Sequence, residues 1–265
     1  MYSRKDIKVK RLVIKIGTTS LTLDNGKLDL RKIDRLAWVI SDLRNKGYEI
    51  ILVSSGSIAV GAARLKLPER PRDIKGKQAS SSVGQAILMQ IYESMFTQYN
   101  QIVSQILITK DELSNNERII NARNTFFTLI EWSVIPIVNE NDTISIEELG
   151  FSDNDSLSAY VAELIESDML IILSDIDGLY DSDPRKNPDA KLIRSLYSID
   201  GYIESMAGDS SSSLGTGGMA TKIAAAKTLS EKGIHTVITS GKDPHIIYDI
   251  LDGKDVGTFI FGKER

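Results

Sequence analysis

Short apolar runs alternate with amphipathic helical patterns from one end of the chain to the other, and this alternation restricts the fold more than any other feature. "RLVIKI" (11–16) reads as a buried strand, and Ile33, Leu36, Ala37, Ile40 and Leu43 then share one face of a helix that Gly47 can stop. "YEIILVSS" is the next strand, followed by a helix over 57–67, a Pro-containing loop over 68–76 and a long helix through "SVGQAILMQIYESMF". Further strands are predicted at "QIVSQILIT", "SVIPIVN", "DMLIILSD", "HTVITS" and "GTFIFG", with helices near 117–132, 154–166, 219–232 and 244–251 between most of them. Strands separated by helices predict an α/β protein: a three-layer αβα sandwich with a mostly parallel central sheet covered on both faces. No repeat or break in composition divides the 265 residues, so one domain over 1–265 is expected.

Composition then removes function classes. Without cysteine the chain has no disulfide, thiolate nucleophile or Cys-based zinc site. Its two histidines, His235 and His245, form neither a cluster nor an HExxH helix. A net charge of −4 with dispersed basic residues gives no electrostatic reason to bind nucleic acid. The N-terminus "MYSRKDIKVK" lacks an apolar signal core and no window approaches a membrane span, so a cytoplasmic protein without a membrane partner is expected.

In parallel α/β sheets, ligands sit beyond the carboxyl ends of the strands. The segments there are "GTTS" (17–20), "SGS" (55–57), "NENDT" (139–143) and "SDIDGLY" (174–180), all rich in glycine and small polar groups. A further segment, "SSSSLGTGGMATK" (210–222), opens a helix after a glycine run, which suits an anion. It is not a Walker loop, because Ala220 and Thr221 precede Lys222 where a glycine-lysine pair is required. Gly215, Gly217 and Ala220 satisfy a GxGxxA pattern, but no strand precedes them, which argues against a dinucleotide site. Read alone, the serine-glycine run is a linker.

Taken together, "VIKIGTTSL", "VSSGSIAVG", "GKQASSSVGQ", "IPIVNENDT", "SDNDSLSA", "LSDIDGLYDSDPRKNP" and "AGDSSSSLGTGGMATK" resemble, in order and context, the glutamate 5-kinases of the amino acid kinase superfamily, over nearly the whole chain. The resemblance implies ATP- and Mg²⁺-dependent phosphorylation of the side-chain carboxylate of L-glutamate, the first step of proline biosynthesis. It also implies a homo-oligomer and feedback inhibition by proline. It divides the chain into an N-terminal part that binds mainly glutamate and a part from about residue 168 that binds mainly ATP. No C-terminal PUA domain, the RNA-modification-enzyme type that many members carry, is expected after "VGTFIFG".

Residue by residue, the resemblance makes Lys15 and Lys222 the pair that brackets the transferring phosphoryl group, and Asp155 the carboxylate that holds them. Read without it, Lys15 is an edge-strand lysine facing solvent and "SDNDS" a helix cap. Ser55, Asp142 and Asn154 match glutamate-binding positions, with Asp153 and Asn139 as neighbours. Ser174 and Asp175, together with Thr216, Gly217, Gly218, Met219, Ala220, Thr221 and Lys222, match the nucleotide segments, joined by Lys15. No protein ligand for a metal is assigned, since Mg²⁺ sits chiefly on phosphates and waters. Ser152 stands where the family has glycine. The nearest alternative is a superfamily kinase acting on N-acetylglutamate, aspartate or a nucleoside monophosphate. A non-catalytic amino-acid sensor is the next, against which the two retained lysines argue.

Overall fold

The computed structural model describes residues 3–23, 27–111, 115–145, 153–208 and 218–263. Along them run β1 (Arg11–Ile16), α1 (Thr18–Leu21), α2 (Leu30–Asn45), β2 (Glu49–Val53), α3 (Ser57–Arg64), α4 (Ile74–Thr97), β3 (Val103–Ile108), α5 (Asn116–Glu131) and β4 (Ile135–Glu140). The second half adds α6 (Asn154–Leu164), β5 (Met169–Ser174), β6 (Ser195–Leu196), α7 (Gly201–Gly208), α8 (Met219–Glu231), β7 (His235–Ser240), α9 (Ile246–Leu251) and β8 (Thr258–Ile260). The eight strands form one sheet in the order β3-β4-β2-β1-β5-β7-β8-β6. Every pairing is parallel except β7 with β8.

Period-2 alternation sends successive side chains of each strand to opposite faces. On one face Leu12, Ile14, Leu52, Ile137 and Ile171 pack with Leu36 and Ile40 of α2, Leu88 and Tyr92 of α4, and Ile247 of α9. On the other, Val13, Val53, Val138 and Ile172 pack with Phe126 of α5, Leu157 and Val161 of α6, and Ile223 and Leu229 of α8. Because both faces are covered, the central strands are apolar at nearly every position. This is the expected αβα sandwich. Among the described residues, no helix is long and apolar enough to cross a membrane.

Four elements depart from the sequence reading. Helix α4 starts at Ile74, inside the predicted loop, because the Asp73 carboxylate accepts from the Gly76 N–H and caps it. Helix α7 and the two-residue β6 carry too few residues for a periodic signal, and Asp200 starts α7 by accepting from the N–H groups of Tyr202 and Ile203. The final strand pairs antiparallel with β7, which a strand-and-helix count does not reveal.

One helix crossing fixes α3 and α4 relative to each other. Their backbones touch: a Cβ on Gly61 would lie 1.8 Å from the Ser80 carbonyl oxygen, and one on Gly84 would lie 1.8 Å from that of Ser57. Only glycine fits at either place. Alanine at position 84 gains up to about 1 kcal/mol in helix propensity, but it must push two backbones apart. Overpacking of this kind costs about 1–3 kcal/mol. Gly84→Ala is therefore expected to lower the urea unfolding midpoint, with a net loss of about 1 kcal/mol.

Candidate active site

Strand order reverses around β1, which lies between β2 and β5, so the crevice at its carboxyl end is where an α/β sheet places a ligand. Lys15, the penultimate residue of β1, shares the face of Val13 and is directed toward α6 and α8. It lies opposite Val53 and Ile172 and is 6% exposed, on a central strand and not at an edge. Asp155, fully buried in the first turn of α6, forms an ion pair with Lys15 Nζ through Oδ1 at 2.7 Å. Its Oδ2 accepts from Lys222 Nζ at 2.9 Å, and Lys222, from the first turn of α8, is 5% exposed. The Thr221 hydroxyl lies 3.0 Å from the same Oδ2 and 2.8 Å from the Gly218 carbonyl oxygen. Two ammonium groups thus share one carboxylate in a largely buried setting.

Burial alone would push the Asp155 carboxyl up. The charges of Lys15 and Lys222, with the hydrogen bonds they give, outweigh that effect and hold it below its usual value.

The "DND" of 153–155 divides three roles among consecutive residues. Asp153 is the N-cap of α6, its Oδ1 accepting from the N–H groups of Asp155 and Ser156 at 2.8 and 2.9 Å. Asp155 faces the lysines. Asn154 turns the other way, with Nδ2 within 2.8–2.9 Å of the Ser54 carbonyl oxygen, Ser55 Oγ and Asn139 Oδ1.

The amide orientations follow from the backbone. The Glu140 N–H donates to Asn139 at 2.9 Å, so an oxygen must face it, and Asn139 then donates through Nδ2 to Gln85 Oε1 at 2.9 Å. A carbonyl oxygen and Asn139 Oδ1 both face Asn154, which requires its NH₂ there and turns its Oδ1 away. That Oδ1 takes no hydrogen bond among the described residues, so Asn154 offers an acceptor. Ser55, whose Oγ accepts from Asn154, keeps its own proton to donate.

Asp142, in the turn after β4, receives the hydroxyls of Ser57 and Ser81 on Oδ2, each at 2.8 Å. At the neighbouring edge, Ser174 ends β5 and donates to Asp175 Oδ1 at 3.0 Å. Gly218 is the N-cap of α8 and supplies no side-chain cap, so the first-turn N–H groups of Met219, Ala220 and Thr221 are unspent by capping. The Met219 side chain itself packs in the core. Thr216, Gly217, Ser152 and the serines at 210–213 lie outside the described residues.

The structure thus gathers Lys15, Lys222 and Asp155 in one cluster and Ser55, Asn139 and Asn154 in a second, joined by the first turn of α6. Sequence reasoning missed Gln78, Ser81 and Gln85. These recur at helical spacing on one side of α4 and bind the end of β4 and the turn after it in sequence: Gln85 to Asn139, Ser81 to Asp142, and Gln78 to the Ser145 carbonyl oxygen at 3.3 Å. Farther along α4 the buried positions are Leu88, Tyr92 and Phe96. A stripe that turns from apolar to polar as the helix leaves the sheet was the available signal.

Fold and site define an α/β protein with two lysines and one carboxylate clustered at the crevice of a mostly parallel sheet. The family model described as "Amino acid kinase family" matches residues 10–240. The chain is 50% identical to the glutamate 5-kinase of Clostridium perfringens, over 98% of this chain and 99% of that one. It is 49% identical to that of Clostridium acetobutylicum, over 97% and 96%. To that of Carboxydothermus hydrogenoformans it is 48% identical, over 97% of this chain and 69% of the other. Among solved structures, the carbamate kinase from Giardia lamblia bound to AMP-PNP shares the fold with a TM-score of 0.67 at 21% identity, covering 96% and 99% of the two chains. The UMP kinase from Ureaplasma parvum does so with a TM-score of 0.65 at 21% identity and the same coverages. The chain belongs to the amino acid kinase family, in its glutamate 5-kinase branch.

A carboxyl whose pKa is lowered on folding adds stability that is complete above its unfolded value of about 3.9 and is lost as pH falls through the folded value. Asp155→Asn removes the carboxylate that pairs with both buried lysines, a loss of about 3–5 kcal/mol. Urea unfolding of both proteins is expected to show that full difference at pH 6–7, and a narrowing difference below about pH 4 as the wild-type carboxylate protonates.

Proposed function

We propose that the protein transfers the γ-phosphoryl group of ATP to the side-chain carboxylate of L-glutamate, giving L-glutamyl 5-phosphate, the first step of proline biosynthesis. The observation that carries the reading is the buried Lys15–Asp155–Lys222 cluster, linked through Asn154 to a set of groups suited to an amino acid. A glutamate carboxylate has a pKa near ~4.3 and is ionised at neutral pH, so no general base is required. The chemical difficulty is the approach of one anion to another. Lys15 and Lys222 relieve it by placing positive charge where the transferring phosphoryl group gathers negative charge.

On this reading the substrate ammonium is taken by Asp142 and by Asn154 Oδ1, which is an acceptor because its NH₂ is committed elsewhere. The α-carboxylate is taken by the Ser55 hydroxyl at the start of α3. That helix is opened by Gly56 at φ +101°, without a side-chain cap. Nucleotide phosphates are taken by the uncapped first turn of α8, with Ser174 and Asp175 alongside. One domain thus divides its work between an amino-acid half and, from about residue 168, a nucleotide half.

Magnesium bound with ATP neutralises phosphate charge. Both Asp155 oxygens are occupied by lysines, which does not suit that residue to the ion, and the ion is left to phosphates and waters. Inhibition by proline at the amino-acid half, assembly into a homo-oligomer and a cytoplasmic location complete the proposal.

Hydroxylamine trapping with ATP and Mg²⁺ tests the reaction, because it captures an acyl phosphate. Glutamate is expected to give hydroxamate, while N-acetylglutamate, aspartate and UMP give turnover near background; no product with glutamate overturns the assignment. Lys222→Ala is expected to lower kcat by about 10²–10³ with little change in the KM for glutamate. An equal loss in both would deny the lysine its role in the transition state.

A further inference from the structure

Helical serines ordinarily turn their hydroxyls back on their own helix. Ser82 does so to the Ala79 carbonyl oxygen, Ser158 to that of Asp155 and Ser205 to that of Tyr202. Ser57 and Ser81 do not. They come from two different helices, both are 3% exposed, and both direct their hydroxyls onto one oxygen of one loop carboxylate, Asp142 Oδ2. Asp142 Oδ1 takes no hydrogen bond among the described residues.

The spacing of the two donors is set by backbone. The Gly61 and Gly84 contacts lock α3 against α4 at the carbonyls of Ser80 and Ser57, beside the two hydroxyl-bearing residues. The loop is fixed at both ends of the same helix side, by Gln85 on Asn139 and Gln78 on Ser145. A carboxylate held through one oxygen by two donors from a rigid pair of helices cannot rotate freely about its own axis. Its second oxygen is therefore aimed in one direction.

We infer that Ser57 and Ser81 are positioning residues that orient Asp142 so that its Oδ1 takes the substrate ammonium, and that they thereby set the preference for an amino acid over a dicarboxylate. The inference rests on the proposed ammonium site. Each hydroxyl donates to a charged acceptor, and each can be removed without leaving a buried donor behind. Ser80, adjacent but with an unpartnered buried hydroxyl at the helix contact, is in its place for size.

Glutarate supplies the test, since it carries both carboxylates of glutamate and lacks the ammonium. The KM for glutamate and the inhibition constant of glutarate are measured for the wild type, Ser57→Ala, Ser81→Ala, the double variant and Asp142→Asn, with urea melts confirming folding. The serine variants are expected to raise the KM for glutamate about tenfold each, as suits a lost hydrogen bond to a charged group. The glutarate constant and kcat should stay within about twofold, and the double variant should approach Asp142→Asn. Parallel rises in both constants would mean general damage to the site and overturn the inference. So would an unchanged ratio in the serine variants when Asp142→Asn collapses it. If Asp142→Asn itself leaves the ratio unchanged, the ammonium site falls, and the serine role falls with it.

Discussion

Three charges excluded from water at the start of α6 govern the rest of this structure. Moving a carboxylate or an ammonium into a protein interior costs several kcal/mol per ion, and only close opposite charge with satisfied hydrogen bonds offsets it. Lys15, Lys222 and Asp155 meet that condition through the carboxylate, which pairs with both lysines at once. Each comes from a different element: the central strand, the first turn of α6 and the first turn of α8. The cluster therefore specifies where two helices begin relative to the sheet. Its two ammonium groups outnumber its one carboxylate, which suits the anions of the proposed reaction.

Much of the fold was legible because its signals are local. Strand and helix periodicities, Gly47 after α2 and the apolar runs of a doubly covered sheet all act within a few residues of where they appear. What escaped depends on partners distant in sequence. Strand β6 exists because two residues find β8, and the antiparallel pairing of β8 follows from the route of the chain after α9. Gly61 and Gly84 look like ordinary helix glycines until the two helices are brought together. Asp73 has the composition of a cap, but Pro68 and Pro71 before it carry an equally local signal for a loop.

The site divides along the same line. Lys15, Lys222 and Asp155 could be named by resemblance, and the structure brings them within hydrogen-bonding distance. The capping explanation of "SDNDS" proves correct for Asp153 and does not compete with the charged role of Asp155, since adjacent residues on a helix point in different directions. The orientation of Asn154 could not have been read from sequence, because it is dictated by a backbone N–H on β4 and a carbonyl after β2. Nor could the polar side of α4. Gln78, Ser81 and Gln85 acquire meaning only from the loop that lies across them.

Adjacency within α6 has a mechanistic consequence. Asn154 and Asp155 belong to one helical turn, clamped by the Asp153 cap, so the groups proposed for the amino acid and the lysines proposed for the phosphoryl group are set by the same rigid unit. A lysine side chain free in water would lose up to about 2 kcal/mol of rotamer entropy when ordered. Here Asp155 has ordered both before any substrate binds, so that loss falls on folding and not on the reaction. An ammonium carries three donors, and the bond to Asp155 uses one. The carboxylate thus lowers the total charge of the site while fixing the direction of what remains. For two anions that must meet in line, direction matters more than the extra charge, because poorly aligned charge stabilises the bound ground state as readily as the transition state.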